Sequence, residues 1–364
     1  MSSKIAIILG TRPEIIKMSP VIRACQKKGL DFFILHTGQH YSYALDKQIF
    51  EDLELPVPKY NLNIGGQPYR KQVGFMTGEI AKILRMENPS VVIVQGDTIS
   101  VLAGALAAKK LGIAVAHHEA GLRSNDLTMV EETNRVVTDH ISDFLFVPSA
   151  DAMKHLHQEG ADVEKIHFTG NTIVDAVLQN IDTAEKKAGT FAALRLSPLG
   201  YFLASAHRAE NVDVPERLQG IINGLDMVGR EFGLPVIFTL HPRTKAKLDE
   251  YAIVVPPIIK CIDPVGFLDL LYLEKNARLI LTDSGGIQEE AFILRVPCVT
   301  LRDNTERPET VEYGANILAG TNPEAIVESA RKMMEKPVRL DHRENPFGDG
   351  RAGERIVDIL ERFL

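Results

Sequence analysis

Tryptophan is absent from the 364 residues, cysteine occurs three times, and aromatic residues make up only 6% of the chain. Cys25, Cys261 and Cys298 are odd in number, widely spaced and mostly set among apolar neighbours. That pattern gives neither a disulfide framework nor a metal-ligand spacing, and it suits a reducing compartment. No pair of histidines at helical spacing meets a carboxylate, so no metal requirement is expected. Long apolar runs are missing too. The stretch Ile5–Leu9 is far too short for a signal core, and nothing approaches the ~20 apolar residues that cross a bilayer, so a cytoplasmic location is expected. The formal net charge is −7 and the basic residues are scattered. Nucleic acid and acidic membrane surfaces are therefore not expected partners, and a small molecule becomes the default. The first β-to-α turn holds a single glycine, Gly10, so the G-x-G-x-x-G fingerprint is absent and no bound dinucleotide, indeed no cofactor, is expected.

What is present is ordinary for a globular protein of about two domains: 45% hydrophobic and 24% charged residues. Short β-rich runs alternate with longer helical patterns, which predicts α/β units around parallel sheets. One series of strands is expected at Ile5–Leu9, Phe32–His36, Val91–Gln95, Ala114–His118, Phe144–Val147 and Ile166–Thr169. A second is expected at Tyr201–Ser205, Pro235–Leu240, Ile258–Ile262, Leu279–Thr282, Cys298–Leu301 and Ile317–Ala319. The polar stretch Asp182–Lys187 and Gly189 lie between the two series. The reading is two Rossmann-like domains facing a cleft, residues 1–170 and 171–352, with a final helix at 353–364 packing back on the first.

In open parallel sheets, ligands bind beyond the carboxyl ends of the strands. The unusual polar residues collect there: Gly10–Glu14, His36–His40, Gly96–Thr98 and Glu119–Arg123 in the first half. The second half repeats this with Ala206–Arg208, His241–Arg243, Asp283–Gly286 and Arg302–Arg307. Arg12 and Lys17 open the first helix, where positive side chains and the helix amino end attract phosphate, although Arg12 could instead pair with Glu14. Ser284, Gly285 and Gly286 precede another helix. Two glycines let backbone amides approach an anion and a hydroxyl adds a donor, which suits a diphosphate; a plain helix cap is the competing reading. Glu290, one turn on, is placed to accept from vicinal ribose hydroxyls. Asp97, Glu119 and Glu131 are the candidates for proton chemistry, since gathered like charges raise one another's pKa. His207 is placed to grip a phosphate or to protonate a departing one. His155, His157 and His167 have no comparable context and read as surface or packing residues.

The motifs GTRPEIIK (Gly10–Lys17), HTGQH (His36–His40), QGDT (Gln95–Thr98), HHEAGLRS (His117–Ser124), EETNR (Glu131–Arg135), GNTIVDA (Gly170–Ala176), AHRAEN (Ala206–Asn211), TDSGGIQEEA (Thr282–Ala291) and RDNTERPE (Arg302–Glu309) span nearly the whole chain. Together they resemble the non-hydrolysing UDP-N-acetylglucosamine 2-epimerase family. The resemblance implies a GT-B-type fold, a homodimer, and conversion of UDP-N-acetylglucosamine to UDP-N-acetylmannosamine. It implies that Arg12, Lys17, Arg135, His207, Ser284, Gly285, Gly286, Glu290 and Arg307 hold UDP, and that Asp97, Glu119 and Glu131 surround the sugar. Three positions depart from the family pattern: His118 where valine is common, Val130 where proline is usual before Glu131, and Leu270 in place of an aromatic residue beside the uracil. An Arg-Gln pair that serves a second, activating substrate molecule in many bacterial members is not clearly matched around Gly65–Gln72.

Carbon 2 of such a sugar has no carbonyl neighbour, so its proton is not acidic enough for direct removal and return. Without a dinucleotide to oxidise the ring, elimination of UDP to a 2-acetamidoglucal and re-addition is the expected route. The sequence leaves open which carboxylate is base and which is acid. It also leaves open a 2-epimerase of a UDP-diacetamido-uronic acid, a GT-B-type glycosyltransferase, and a non-catalytic nucleotide-sugar sensor.

Overall fold

The computed structural model describes residues 3–39, 43–64, 69–126, 129–187, 189–335 and 345–364. His40 of the HTGQH motif and residues 65–68 lie outside these. The chain forms two compact units, Met1–Gln179 with Pro346–Leu364, and Asn180–Asn345; the division falls within a helix, Thr172–Lys187.

The first unit alternates β1 (Lys4–Leu9), α1 (Arg12–Lys28), β2 (Asp31–His36), α2 (Tyr43–Asp52), β3 (Tyr60–Asn61), α3 (Tyr69–Glu87), β4 (Val91–Gln95), α4 (Ile99–Lys110), β5 (Ala114–His118), α5 (Val130–Ile141), β6 (Phe144–Val147), α6 (Ala150–Gln158), β7 (Ile166–Phe168) and α7 (Thr172–Lys187). The strands pair in the order β3-β2-β1-β4-β5-β6-β7, and every pairing is parallel. Ile5–Leu9 and Val91–Val94 are buried without alternation, as strands covered on both faces must be. Helix α1 shows why its segment is helical. Thr11 precedes it in extended conformation, Pro13 and Glu14 occupy its first turn, Lys27 and Lys28 its last, and Gly29 closes it at φ 66°.

The second unit runs α8 (Gly189–Ala193), β8 (Phe202–Ser205), α9 (Ala209–Val212), α10 (Pro215–Phe232), β9 (Val236–Thr239), α11 (Pro242–Glu250), β10 (Ile259–Ile262), α12 (Phe267–Asn276), β11 (Leu279–Thr282), α13 (Gly285–Leu294), β12 (Cys298–Thr300), α14 (Pro308–Glu312), β13 (Asn316–Leu318) and α15 (Pro323–Glu335). Its sheet is parallel throughout, in the order β10-β9-β8-β11-β12-β13. The first six strands to form each sheet thus share one winding, and strand order reverses beside β1 and β4 in one unit and beside β8 and β11 in the other. Those reversals open crevices at the carboxyl ends.

The last helix, α16 (Ala352–Phe363), belongs to the first unit. Asp175 accepts from the Ala352 and Gly353 amides, and a Cβ on Gly353 would stand 2.8 Å from Pro20, so only glycine lets α16 lie against α1 there. Pro20, inside α1, has no amide to give the Ile16 carbonyl, which accepts from the Ser19 hydroxyl at 2.8 Å. Among the described residues no helix is long and apolar enough to cross a membrane, and no group of three His, Cys, Asp or Glu is arranged to hold a metal.

Candidate active site

In the first unit, the reversal between β1 and β4 brings four segments together. Gly10 leaves β1 with Ser100 of α4 so close that a Cβ would lie 2.0 Å from its Oγ. Glu14 then turns inward: its carboxyl accepts from the Gly10 amide at 2.5 Å and meets the Thr98 hydroxyl at 2.7 Å. The alternative partner for Arg12 is therefore engaged with the neighbouring loop. Burial pushes the Glu14 carboxyl up to about 7, a rise that these hydrogen bonds only partly oppose.

Lys17, one turn further along α1, reaches Glu119 at the end of β5; Nζ lies 2.5 Å from Oε1, and Gln95 Nε2 donates to Oε2 at 2.5 Å. Glu119 is buried and held at φ 68°, a left-handed conformation that a side chain pays strain to adopt and that Asn, Asp or Gly reach more easily. Asp97, at the end of β4, pairs with Arg135 Nη2, and its carbonyl accepts from Asn134 Nδ2 at 2.8 Å. Arg135 Nη1 also meets Glu132 at 2.8 Å. Two of the three candidate carboxylates, Asp97 and Glu119, are thus each set beside a cation. A like charge also bears on Glu14, where Asp97 adds to the rise.

Glu131 lies exposed in the first turn of α5, and among the described residues it makes no hydrogen bond or ion pair; its neighbour Glu132 is the buried one, accepting from Ser124 and Asn125. His118 is fully buried, and among the described residues neither ring nitrogen has a partner. Burial pulls it down to about 4, so the ring is neutral near pH 7.

In the second unit, Asp283 at the end of β11 is wholly buried and organises the loop after β8. It accepts from the amides of His207 and Arg208 and from Asn211 Nδ2, all at 3.0 Å. Ser284 holds the N-cap position of α13, but its side chain makes no capping bond. The first intrahelical bond runs from Gln288 N to Ser284 O. The hydroxyl and the amides of Gly285 and Gly286 are therefore presented at a helix amino end, where an anion is favoured. His207 is lowered by burial and by Arg208 and Arg243, against the pull of Asp283. Arg307 lies against α13, donating from Nε to Glu289 at 2.5 Å, and Glu290 is buried on the same helix.

The structure thus joins Lys17 to Glu119 and Asp97 to Arg135 in one unit, and gathers His207, Ser284, Gly285 and Gly286 at one crevice of the other. Gln95 and Asp283 lie in segments that the sequence marked, QGDT and Asp283–Gly286, but neither was given a role of its own. Each is a polar residue ending, or just past, an apolar strand, and that position was the available signal.

The family model for UDP-N-acetylglucosamine 2-epimerase matches residues 23–361. The UDP-N-acetylglucosamine 2-epimerase of Methanocaldococcus jannaschii is 55% identical, the match covering 98% of both chains. A UDP-2,3-diacetamido-2,3-dideoxy-D-glucuronate 2-epimerase of Pseudomonas aeruginosa is 41% identical, covering 99% of this chain and 100% of that one. The crystal structure of the Methanocaldococcus jannaschii UDP-GlcNAc 2-epimerase in complex with UDP-GlcNAc and UDP superposes with a TM-score of 0.90 over 99% of each chain. Two parallel-sheet α/β units of the GT-B type, a family match over residues 23–361 and a relative 55% identical over 98% of the chain place it in the UDP-N-acetylglucosamine 2-epimerase family of isomerases.

Proposed function

We propose that the protein inverts carbon 2 of UDP-N-acetylglucosamine by eliminating and re-adding UDP. The observation that carries this is the anion-ready amino end of α13, where the Ser284 hydroxyl makes no capping bond and the preceding Asp283 holds the His207 amide. The solved relative that binds UDP-GlcNAc and UDP supports it.

On this reading the α13 amides, Ser284 and His207 take the diphosphate, with Arg12, Arg135 and Arg307 adding positive charge. Glu290 takes the ribose. A carboxylate among Asp97, Glu119 and Glu131 removes the proton from carbon 2 while the bond from carbon 1 to the UDP oxygen breaks, leaving a double bond between carbons 1 and 2 and UDP carrying the electron pair. The departing charge is stabilised where it forms, by His207 and the helix amino end. A second group then protonates carbon 2 from the opposite face as the UDP oxygen returns to carbon 1. We place the enzyme in the cytoplasm and as a homodimer.

The test is turnover in heavy water with UDP-N-acetylglucosamine, read by NMR. The expected result is the manno epimer with deuterium at carbon 2; a product without solvent deuterium, or no epimer at all, overturns the reading. The 41% identical relative makes the diacetamido-uronate the second substrate to assay, and faster turnover of that sugar would move the assignment to it.

A further inference from the structure

His117, the penultimate residue of β5, is wholly buried, and its ring stands between two oxygen atoms. Nδ1 lies 2.6 Å from Asp139 Oδ1 on α5, and Nε2 lies 2.8 Å from the carbonyl oxygen of Gly96, in the turn that follows β4. A carbonyl can only accept, so Nε2 carries a hydrogen and donates it. A proton also lies between Nδ1 and Oδ1, where two bare lone pairs would repel. Asp139 is itself fixed: its Oδ2 accepts from the Gly121 amide at 3.0 Å and from Arg123 Nη1 at 2.7 Å, and Arg123 is tied in turn to Glu159 at 2.6 Å.

Gly96 needs such a brace. At φ 85° it turns the chain out of β4 in the left-handed region, and it has no side chain to lock it there. Its amide donates to the His118 carbonyl at 3.1 Å and its carbonyl accepts from the His117 ring, so consecutive residues of β5 hold both of its polar groups. The next residue is Asp97, whose carbonyl accepts from Asn134 and whose carboxylate pairs with Arg135. Asn134, Arg135 and Asp139 all belong to α5. One helix thus braces the Gly96–Asp97 turn from three positions, and the Asp139 arm acts only through the His117 ring. The same carboxylate holds the Gly121 amide, two residues past Glu119.

We propose that His117 is a positioning residue: bridging Asp139 to the Gly96 carbonyl, it sets where the Asp97 carboxylate stands when carbon 2 of the sugar reacts. The inference rests on the reading of Asp97 as a carboxylate beside the sugar. Imidazole suits the place because its two nitrogens point from opposite edges of one rigid ring. Asparagine presents an amide near Nδ1 and glutamine one near Nε2, so each can keep one arm of the bridge and neither keeps both.

The test measures kcat and KM for UDP-N-acetylglucosamine, and UDP affinity by calorimetry, on the full-length parent, His117→Asn and His117→Gln, and on each with Asp97→Asn added. His117→Asn drops the Gly96 arm and is expected to lose roughly 10- to 100-fold in kcat, the scale of a reacting group displaced by about 1 Å, while KM and UDP affinity change far less. His117→Gln keeps that arm and should recover most of the rate. In the Asp97→Asn background His117→Asn should cost little more, because the group it positions is already disabled. A full-rate His117→Asn, or equal losses with and without Asp97→Asn, overturns the proposal. Parent-like turnover in Asp97→Asn alone would instead overturn the role of Asp97. The bridge is read separately by NMR of the nitrogen-labelled parent, where one histidine should show slowly exchanging hydrogens, one at Nε2 and one far downfield between Nδ1 and a carboxylate. Absence of such a ring from the spectrum overturns the proposal even if neither His117 variant folds.

Discussion

Lys17 and Glu119 form a buried ion pair, Nζ to Oε1 at 2.5 Å, across the crevice edge between α1 and β5. Each group is nearly closed off from water, with side chains 10% and 6% exposed. Such a pair adds little net stability, yet removing one partner leaves a buried charge behind. Lys17→Met is therefore expected to destabilise the fold by about 3 kcal/mol or more, and adding Glu119→Gln should restore part of that loss. Urea unfolding of the two single variants and the double variant measures the coupling. Additive effects would mean that the two groups do not depend on each other in solution.

Amide replacements separate chemistry from binding. Asp97→Asn, Glu119→Gln and Glu131→Gln keep the shape of each side chain and remove its acid–base capacity. A general catalyst among them should lose roughly 100-fold or more in turnover while UDP affinity changes less. A variant impaired mainly in re-addition should release UDP and the glycal, which mass spectrometry detects. Full activity in all three would take the carboxylates out of the mechanism.

The phosphate contacts are testable one at a time. Arg12→Ala and Ser284→Ala should each weaken UDP binding by about 1–3 kcal/mol, the loss of one hydrogen bond to a charged group. Calorimetry on UDP reads this directly. Affinities equal to the parent's for both would show that UDP sits elsewhere.

Glu14 gives the fold a pH dependence whose sign follows from burial. Its carboxyl titrates at about 7 in the folded chain against a usual 4.5. Below 4.5 both folded and unfolded forms hold the proton, and the contribution of Glu14 is fully present. Between 4.5 and 7 the unfolded chain ionises while the folded one does not, so stability falls by up to about 3 kcal/mol and the loss is complete above 7. Asp175, pushed up to about 6 by burial, acts in the same direction. Denaturation midpoints from pH 5 to 8 should therefore decline, and Glu14→Gln should flatten the curve. An equal slope in that variant would assign the dependence to other groups.

The long strands were legible because their apolar runs are short, β-rich and bounded by glycine or charge; β4 and β5 fall at Val91–Gln95 and Ala114–His118, as their patterns indicate. The two-residue β3 at Tyr60–Asn61 was not, since two residues carry no period. Polar residues at strand ends could be read because the fold class says where ligands bind. Their pairing could not. That Glu119 would meet Lys17 across 102 positions, and Asp97 meet Arg135, depends on packing that no local pattern encodes. His117 was hidden for a different reason: a histidine near the end of an apolar strand carries no sign of which groups its two nitrogens meet.

The return of α16 to the first unit has a consequence for synthesis. The unit that emerges first from the ribosome does not possess its last helix until the whole intervening unit, Asn180–Asn345, has been made. During that interval the α1 surface around Pro20, built to receive Gly353 without a side chain, waits uncovered, and the amide acceptors of Asp175 wait with it. Domains generally mature in the order they are translated. Here the order is inverted at the last step: the first unit starts before its neighbour and finishes after it.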